Sequence, residues 1–333
     1  MSIMEKNESY CSILRSINLD NIEDALAKAY HKTGAGRPPR KPIGIFKALI
    51  AKQVKQIPSD RELYRRLWTD ENLRTICDIE DYQKPYHPTQ LTRFRDRLGV
   101  KRLEEIMHTM LDELIDKKAV NGKKVVFDAT FIKAYSKRDL HDNSRGSSDP
   151  EARVGRNGKT YELGYKLHLA VDAKSELPLA VMVAPANDNE KKHAPELFKK
   201  ALRATRKRMK LLVADSQYSC RSQRMQAADA GVQAVIPYPI NQMRGQKGLL
   251  RVDRLFRTHG PKRDKRLYRL RSCVERVNSR LKEQLCLGGH RVRGLLRVTA
   301  HSLLCLIAML LNAVAAVRLR VLGKVRSLTL LAK

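Results

Sequence analysis

The chain has 333 residues, enough to bury a substantial core and most often arranged as two domains. It carries 66 Lys and Arg against 35 Asp and Glu, a formal net charge of +31 that exceeds what solubility needs and calls for a polyanionic partner. The six cysteines show no Cys-x2-Cys spacing, and no histidine pair stands at zinc-ligand distance, so a disulfide scaffold and a zinc finger are both set aside.

The first 118 residues read as helices with short connections. After the proline-rich Gly36-Arg-Pro-Pro-Arg40, Ile43 to Val54 is a helix candidate, and Ser59-Asp-Arg-Glu62 followed by Leu63, Leu67 and Trp68 has the form of a capped amphipathic helix. Two short helices and a tight turn make a candidate helix-turn-helix, with an ordinary bundle as the competing reading. His87-Pro-Thr-Gln-Leu-Thr-Arg-Phe-Arg95 opens a further helix, on which Thr89, Gln90, Thr92 and Arg93 are types able to reach base edges or phosphates. Thr89 and Arg93 are the DNA-contact candidates here. With aromatics at only 5%, Trp68 and Phe94 are expected in the core.

From Ala119 the pattern changes to strands, expected at Val125 to Thr130, Tyr165 to Val171 and Leu179 to Ala184, with Asp172 to Leu177 as a hairpin turn. Ser136 to Thr160, rich in Ser, Asp, Arg, Gly and Asn, reads as a mobile loop that orders on DNA; Asp139, Asp142 and Asp149 fall within it. A helix from Pro195 to Arg208 follows, then a strand at Leu211 to Asp215, a helix at Ser222 to Ala230 and a strand at Ala234 to Pro237. Asp172, Asp188 and His193 read as turn or cap residues. Lys199 to Lys210 is basic, and Arg244 to Arg271 holds eleven Lys or Arg against Asp253 and Asp264 alone.

Two apolar runs end in similar ways, Lys124-Val-Val-Phe-Asp128-Ala-Thr and Leu211-Leu-Val-Ala-Asp215-Ser-Gln-Tyr218. Each reads as a buried strand running into a polar turn, where an acid is oriented by rigid backbone yet open to a ligand. Further on comes Tyr268-x2-Arg271-x3-Glu275-x6-Lys282. On one helix, Tyr268, Arg271, Glu275, Asn278 and Lys282 share a stripe about 80° wide, beside an apolar stripe of Leu267, Leu270, Val274, Val277, Leu281 and Leu285. Val298 to Val317 is about long enough to span a bilayer, but His301, Ser302 and Asn312 interrupt it; a helix buried against the sheet is the better reading.

These motifs resemble those of the bacterial insertion-sequence DDE transposases, in the broad superfamily of insertion sequences four and five. The Tyr-Arg-Glu-Lys spacing matches at all four positions, and Phe127-Asp128-Ala129-Thr130 and Ala214-Asp215-Ser216-Gln217-Tyr218 stand where the first two acidic motifs belong. Gly164-Tyr-Lys-Leu-His-Leu-Ala-Val-Asp172, Leu177-Pro-Leu-Ala and Pro185-Ala-Asn187 resemble the segment between them. Gln217 departs from the family, which commonly has glycine there.

The resemblance implies an α/β chain, with a helical DNA-binding domain over 1–118 and a ribonuclease-H-like mixed-sheet catalytic domain over 119–333, closed by a packing helix. It implies Asp128, Asp215 and Glu275 as catalytic residues and as ligands of two Mg²⁺ ions about 3.5 to 4 Å apart, with Mn²⁺ able to substitute. Asp128 would bridge both ions, Tyr268 and Lys282 would contact phosphates, and Arg271 would steer the strand and orient Glu275. The implied activity is cleavage of inverted element ends and joining of their 3′-hydroxyls to target DNA by a homodimer or larger assembly on double-stranded DNA. The alternatives are a nuclease of the same fold and a non-catalytic DNA-binding relative. The polar N-terminus, with Glu5, Lys6, Asn7 and Glu8, and the reduced thiols fit a cytoplasmic, nucleoid-associated protein with no membrane partner.

Overall fold

The structure, a computed structural model, describes residues 19–29, 40–239 and 261–328. Cys11, Gly36 to Pro39 and most of the basic run from Arg244 lie outside the described residues. The chain divides into two compact units, residues 1–114 with 280–333, and residues 115–279. The C-terminal segment thus groups by its contacts with the N-terminal helices, where the expected division is 1–118 and 119–333.

The first unit is helical among its described residues. Helices α1 (Asp20–Ala27), α2 (Pro42–Val54), α3 (Asp60–Thr69) and α4 (Glu71–Ile76) precede the long α5 (Pro88–Asp116), which bends where Gly99 takes a φ of 66°. Ser59 caps α3 as its sequence suggests, its side chain accepting from the Glu62 amide at 3.1 Å. Asp60 is largely enclosed between Lys52 (2.6 Å) and Arg95 (3.2 Å) and also accepts from Thr92, so Thr92 is engaged within the unit. Phe94 is buried as expected, but Trp68 is 51% exposed, because α3 presents Leu63 and Leu67 to the core and Trp68 lies on its flank.

The apolar segment near the C-terminus forms α10 (Leu295–Arg318), with 94% of its apolar window buried. It packs on α2 within the helical unit. Two ion pairs, Arg297 to Asp96 and Arg318 to Glu113, fasten its ends to α5. Burial on this scale accounts for its hydrophobicity without a bilayer.

The second unit is a six-stranded mixed sheet. Strands β1 (Lys124–Lys133), β3 (Thr160–Asp172) and β4 (Pro178–Pro185) form an antiparallel meander, and β5 (Leu211–Ala214) and β6 (Gln233–Val235) add parallel to β1. The resulting order β4-β3-β1-β5-β6 is the ribonuclease-H-like topology. β2 (Arg153–Asn157) pairs with the first half of β3, on the edge that β4 continues. Helix α6 (Glu190–Ala204) lies against β4 and β3, and α7 (Arg221–Asp229) against β6. α6 begins five residues before Pro195, because Asn189 supplies its cap by accepting from the Lys191 amide.

The expected mobile loop is instead folded. β2 falls in its last third, Arg138 and Gly146 form a bridge, and the Ser148 amide and hydroxyl bond to Ser136 Oγ. Asp149 is buried and accepts from the Tyr165 hydroxyl at 2.7 Å. Polar composition here reflects local hydrogen bonding.

Gly164 sits where β2, β3 and β1 meet, opposite Lys133 and Arg153. A Cβ there would run into the Ile132 carbonyl oxygen and the Phe131 ring, and the carbonyl is backbone that cannot swing aside. Gly164→Ala is expected to lower unfolding stability by about 3 kcal/mol, read from denaturant unfolding of the full chain. A loss under about 1 kcal/mol would show that the crossing can relax.

Candidate active site

β1 and β5 run parallel with Phe127 opposite Ala214, so the next residue of each, Asp128 and Asp215, leaves adjacent strands side by side. The sequence suggested that both acids end their strands. Asp215 does, capping a 3-10 turn at Ser216–Tyr218, whereas β1 continues to Lys133 because Ala129 to Lys133 remain paired with β3. Asp128 therefore sits in mid-strand, at the point where its β5 neighbour stops.

The third acid comes from a helical stretch broken into three pieces rather than one continuous α-helix. α8 (Pro261–Tyr268) runs into a 3-10 turn at Arg269–Arg271, followed by α9 (Ser272–Gln284). The 3-10 turn packs on β1 and β5, which brings Arg271 to the two aspartates. Arg276 grips Glu176 of the β3–β4 hairpin at 2.6 Å, and Val274 and Val277 are fully buried, so α9 is fixed while Glu275 stays 62% exposed.

Arg271 is the centre of the site. Its guanidinium lies 3.2 Å from Asp128 Oδ1, 3.5 Å from Asp215 Oδ2 and 3.8 Å from Glu275 Oε1. Asn278, which the helical phase marked as facing ligand, donates to Asp128 Oδ2 at 3.2 Å, and Ser216 Oγ donates to Asp215 at 2.9 Å. Both aspartates are only 15% exposed and Arg271 19%. Burial pushes the Asp128 carboxyl up to about 6, against the pull of Arg271 and with the help of Asp215. Burial opposes the charge of Arg271, yet Asp128, Tyr268 and Asp215 outweigh it and strengthen its hold on its proton.

The Tyr268 hydroxyl and Arg271 Nε are both buried, and neither meets a partner in hydrogen-bonding geometry, although the phenol lies near enough to influence the guanidinium. Lys282 is exposed in the last turn of α9 and belongs to the residues that group with the helical unit. Thr89 and Arg93 are exposed on α5, also in that unit. Asp172, Asp188 and His193 keep the structural roles expected of them: Asp172 accepts from Gly122 and Ser175, and Asp188 accepts from Lys192 and His193.

A second polar group, which no motif announces, stands beside the acids. Lys166 meets Glu190 at 2.8 Å, and Gln217, with its amide turned to donate, reaches both oxygens of Glu190. These residues, the two aspartates, Arg271 and the tip of the β2–β3 hairpin line a cleft of about 440 Å³. Beneath it, Tyr218 is buried edge-on to Phe127 and bonds His168 Nδ1 at 3.0 Å. Nothing local in the sequence links Lys166 to Glu190, since strand β3 and helix α6 bring them together.

Among the described residues, no three His, Cys, Asp or Glu side chains stand close enough together to hold a metal ion. What the three acids share instead is one cation, the guanidinium of Arg271.

Residues 121–311 match the family described as "Transposase DDE domain", and residues 2–97 match "Transposase domain (DUF772)". Among solved structures, the chain is similar to one described as "Mos1 transposase paired-end complex with left transposon end", at 11% identity over 78% of this chain and 82% of that one, with a TM-score of 0.23. It is also similar to one described as "Crystal structure of a pre-cleavage Mos1 transpososome", at 13% identity over the same shares, with a TM-score of 0.22. Overlap this slight carries no structural detail from those complexes to this chain.

Asp128 has a sign-definite effect on stability. Its folded-state value of about 6 lies above the ordinary aspartate value of 3.8, so the ionised form disfavours folding. The penalty is absent below pH 4, grows as pH rises through the interval between the two values, and is complete above pH 6. Asp128→Asn is expected to remove a cost on the order of 3 kcal/mol at pH 7 in metal-free buffer and to change little at pH 4. Denaturant midpoints of both proteins at the two pH values would test this; equal stability at pH 7 would contradict it.

Proposed function

The chain belongs to the DDE-domain transposase family, and we propose that it cleaves the inverted ends of an insertion sequence and joins the freed 3′-hydroxyls to target DNA. It would do so in the cytoplasm, on nucleoid DNA, as a homodimer or larger assembly. The observation that carries this reading is the meeting of Asp128, Asp215 and Glu275 on one guanidinium.

The donor set suits a hard divalent cation, since all three groups are carboxylates and a positive group already stands between them. Asp128, Asp215 and Glu275 would hold Mg²⁺, or Mn²⁺ in its place. When bound, such ions activate a water or 3′-hydroxyl nucleophile and stabilise the leaving oxygen of a phosphodiester.

The chain's own residues supply the rest. The two aspartates stand on neighbouring strands, so their separation is set by sheet hydrogen bonding and not by loop motion. Asn278 orients Asp128 through Oδ2 and Ser216 orients Asp215 through Oδ1, while the other oxygen of each meets Arg271. Arg271 must shift for the acids to take an ion. A phosphate gives it a new anionic partner, bidentate if the fork geometry is met. Tyr268 stands beside Arg271, and the buried hydroxyl and Nε would meet phosphate oxygens only once Arg271 shifts, with Lys282 as a further cationic group.

The test is cleavage of a duplex carrying the repeats that flank the coding sequence, with Mg²⁺ or EDTA, beside Glu275→Gln. Loss of a mere supporting partner of a metal ligand costs up to about 100-fold, so the variant is expected to lose at least that much. Breaks should also vanish in EDTA. Cleavage that persists in the variant or in EDTA would contradict the assignment.

A further inference from the structure

We infer that Trp68, Tyr64 and His87 form an aromatic surface on the helical unit that docks duplex DNA, with Arg61 and Arg93 reaching its phosphates. The inference rests on the reading that the chain acts on DNA, and adds to it a contact surface that includes neither the acids nor the Tyr-Arg-Glu-Lys residues.

Its starting point is the exposure of Trp68. Fully burying a large apolar side chain is worth roughly 1.5–3 kcal/mol, so a soluble unit gains by placing its one tryptophan in the core. α3 does otherwise. Leu63 and Leu67 face inward, while Arg61, Tyr64, Arg65 and Trp68 fall along the flank, following the 100° period of the helix. Half of Trp68 remains in solvent.

The ring is not loose. Trp68 packs edge-on against Tyr64 with centroids 6.0 Å apart, and Tyr64 packs edge-on against His87 at 5.5 Å. His87 Nδ1 in turn pairs with Thr89 Oγ1 at 2.8 Å, where α5 begins. Three rings thus form a fixed row leading from α3 to the exposed Thr89 and Arg93. Rigid aromatic surface costs little conformational entropy on binding.

The rim of the row decides what it fits. Arg61 and Arg93 are exposed and carry no ion pair among the described residues, and Arg65 is 71% exposed. Glu62, the acid on the same helix turn, is engaged by Arg65 and Arg66. An apolar protein partner would ask for a broader hydrophobic patch. A narrow aromatic row edged with arginine matches a polyanion whose sugars and base edges meet the rings while its phosphates meet the guanidinium groups. A net charge of +31 supplies the long-range attraction.

Because Trp68 is the single tryptophan, its emission reports this surface alone. The full chain would be titrated at low salt with a mixed-sequence DNA duplex, following Trp68 emission and, separately, anisotropy of a labelled duplex. Emission should change in step with duplex binding, Trp68→Ala should bind about tenfold more weakly through lost ring burial, and Trp68→Phe should stay within about threefold of the native chain. Unchanged emission at duplex saturation, or equal affinity of Trp68→Ala, would place the DNA elsewhere and overturn the inference while leaving the proposed function intact. Failure of the native chain to bind duplex at all would overturn both. A shift in emission that tracks protein concentration without DNA would assign the surface to a second copy of the chain, also against the inference.

Discussion

The candidate site depends on the compensation of three carboxylates by one guanidinium. Two like charges held about 4 Å apart repel by roughly 1 kcal/mol in water and several-fold more where water is largely excluded. Asp128 and Asp215 are both largely buried, and the upward displacement of Asp128 is the visible trace first of its desolvation and then of the Asp215 charge. Arg271 reduces the cost without removing it. A protein built only for stability would do better with apolar residues at these positions. Retaining the charges speaks for a working role of these residues and not for stability alone.

Convergence of this kind requires rigid supports, and the fold supplies three of different origin. Parallel pairing of β1 with β5 sets the two aspartates in register. The 3-10 turn at Arg269–Arg271 advances the chain more steeply than an α-helix, and its packing on both strands delivers Arg271 to the gap. The Arg276–Glu176 pair and the buried Val274 and Val277 then fix the first turns of α9, from which Glu275 projects. Glu275 is the acid least confined by its surroundings. Its carboxylate can move while the two aspartates stay in place.

Much of this was legible in the chain because it rests on local rules. Strand positions, the Ser59 cap and the three acids follow from period, capping chemistry and spacing. What was not legible depends on long-range pairing. Polar composition made Ser136 to Thr160 look unfolded, but its strand at Arg153–Asn157 needs β3 as a template, and Asp149 needs the Tyr165 hydroxyl. The apolar period of α10 stated that it is buried without stating by what, and the answer was α2. Trp68 misled for a related reason. Residue type suggested the core, while its helical phase relative to Leu63 and Leu67 put it on the flank.

Glu190 shows why acid count alone does not define the site. It lines the same cleft as Asp128 and Asp215 and is as well buried, yet Lys166 at 2.8 Å and the Gln217 amide take up its charge and its lone pairs. A carboxylate satisfied in this way gains little from a further cation, because its partners would have to be displaced first. The three acids around Arg271 differ in that one side chain is their common counter-charge, so that a single displacement would release all three. Gln217 belongs to the Glu190 group and not to the triad. Its departure from the family's usual glycine therefore strengthens the neutral wall of the cleft and leaves the donors of the reacting centre unchanged.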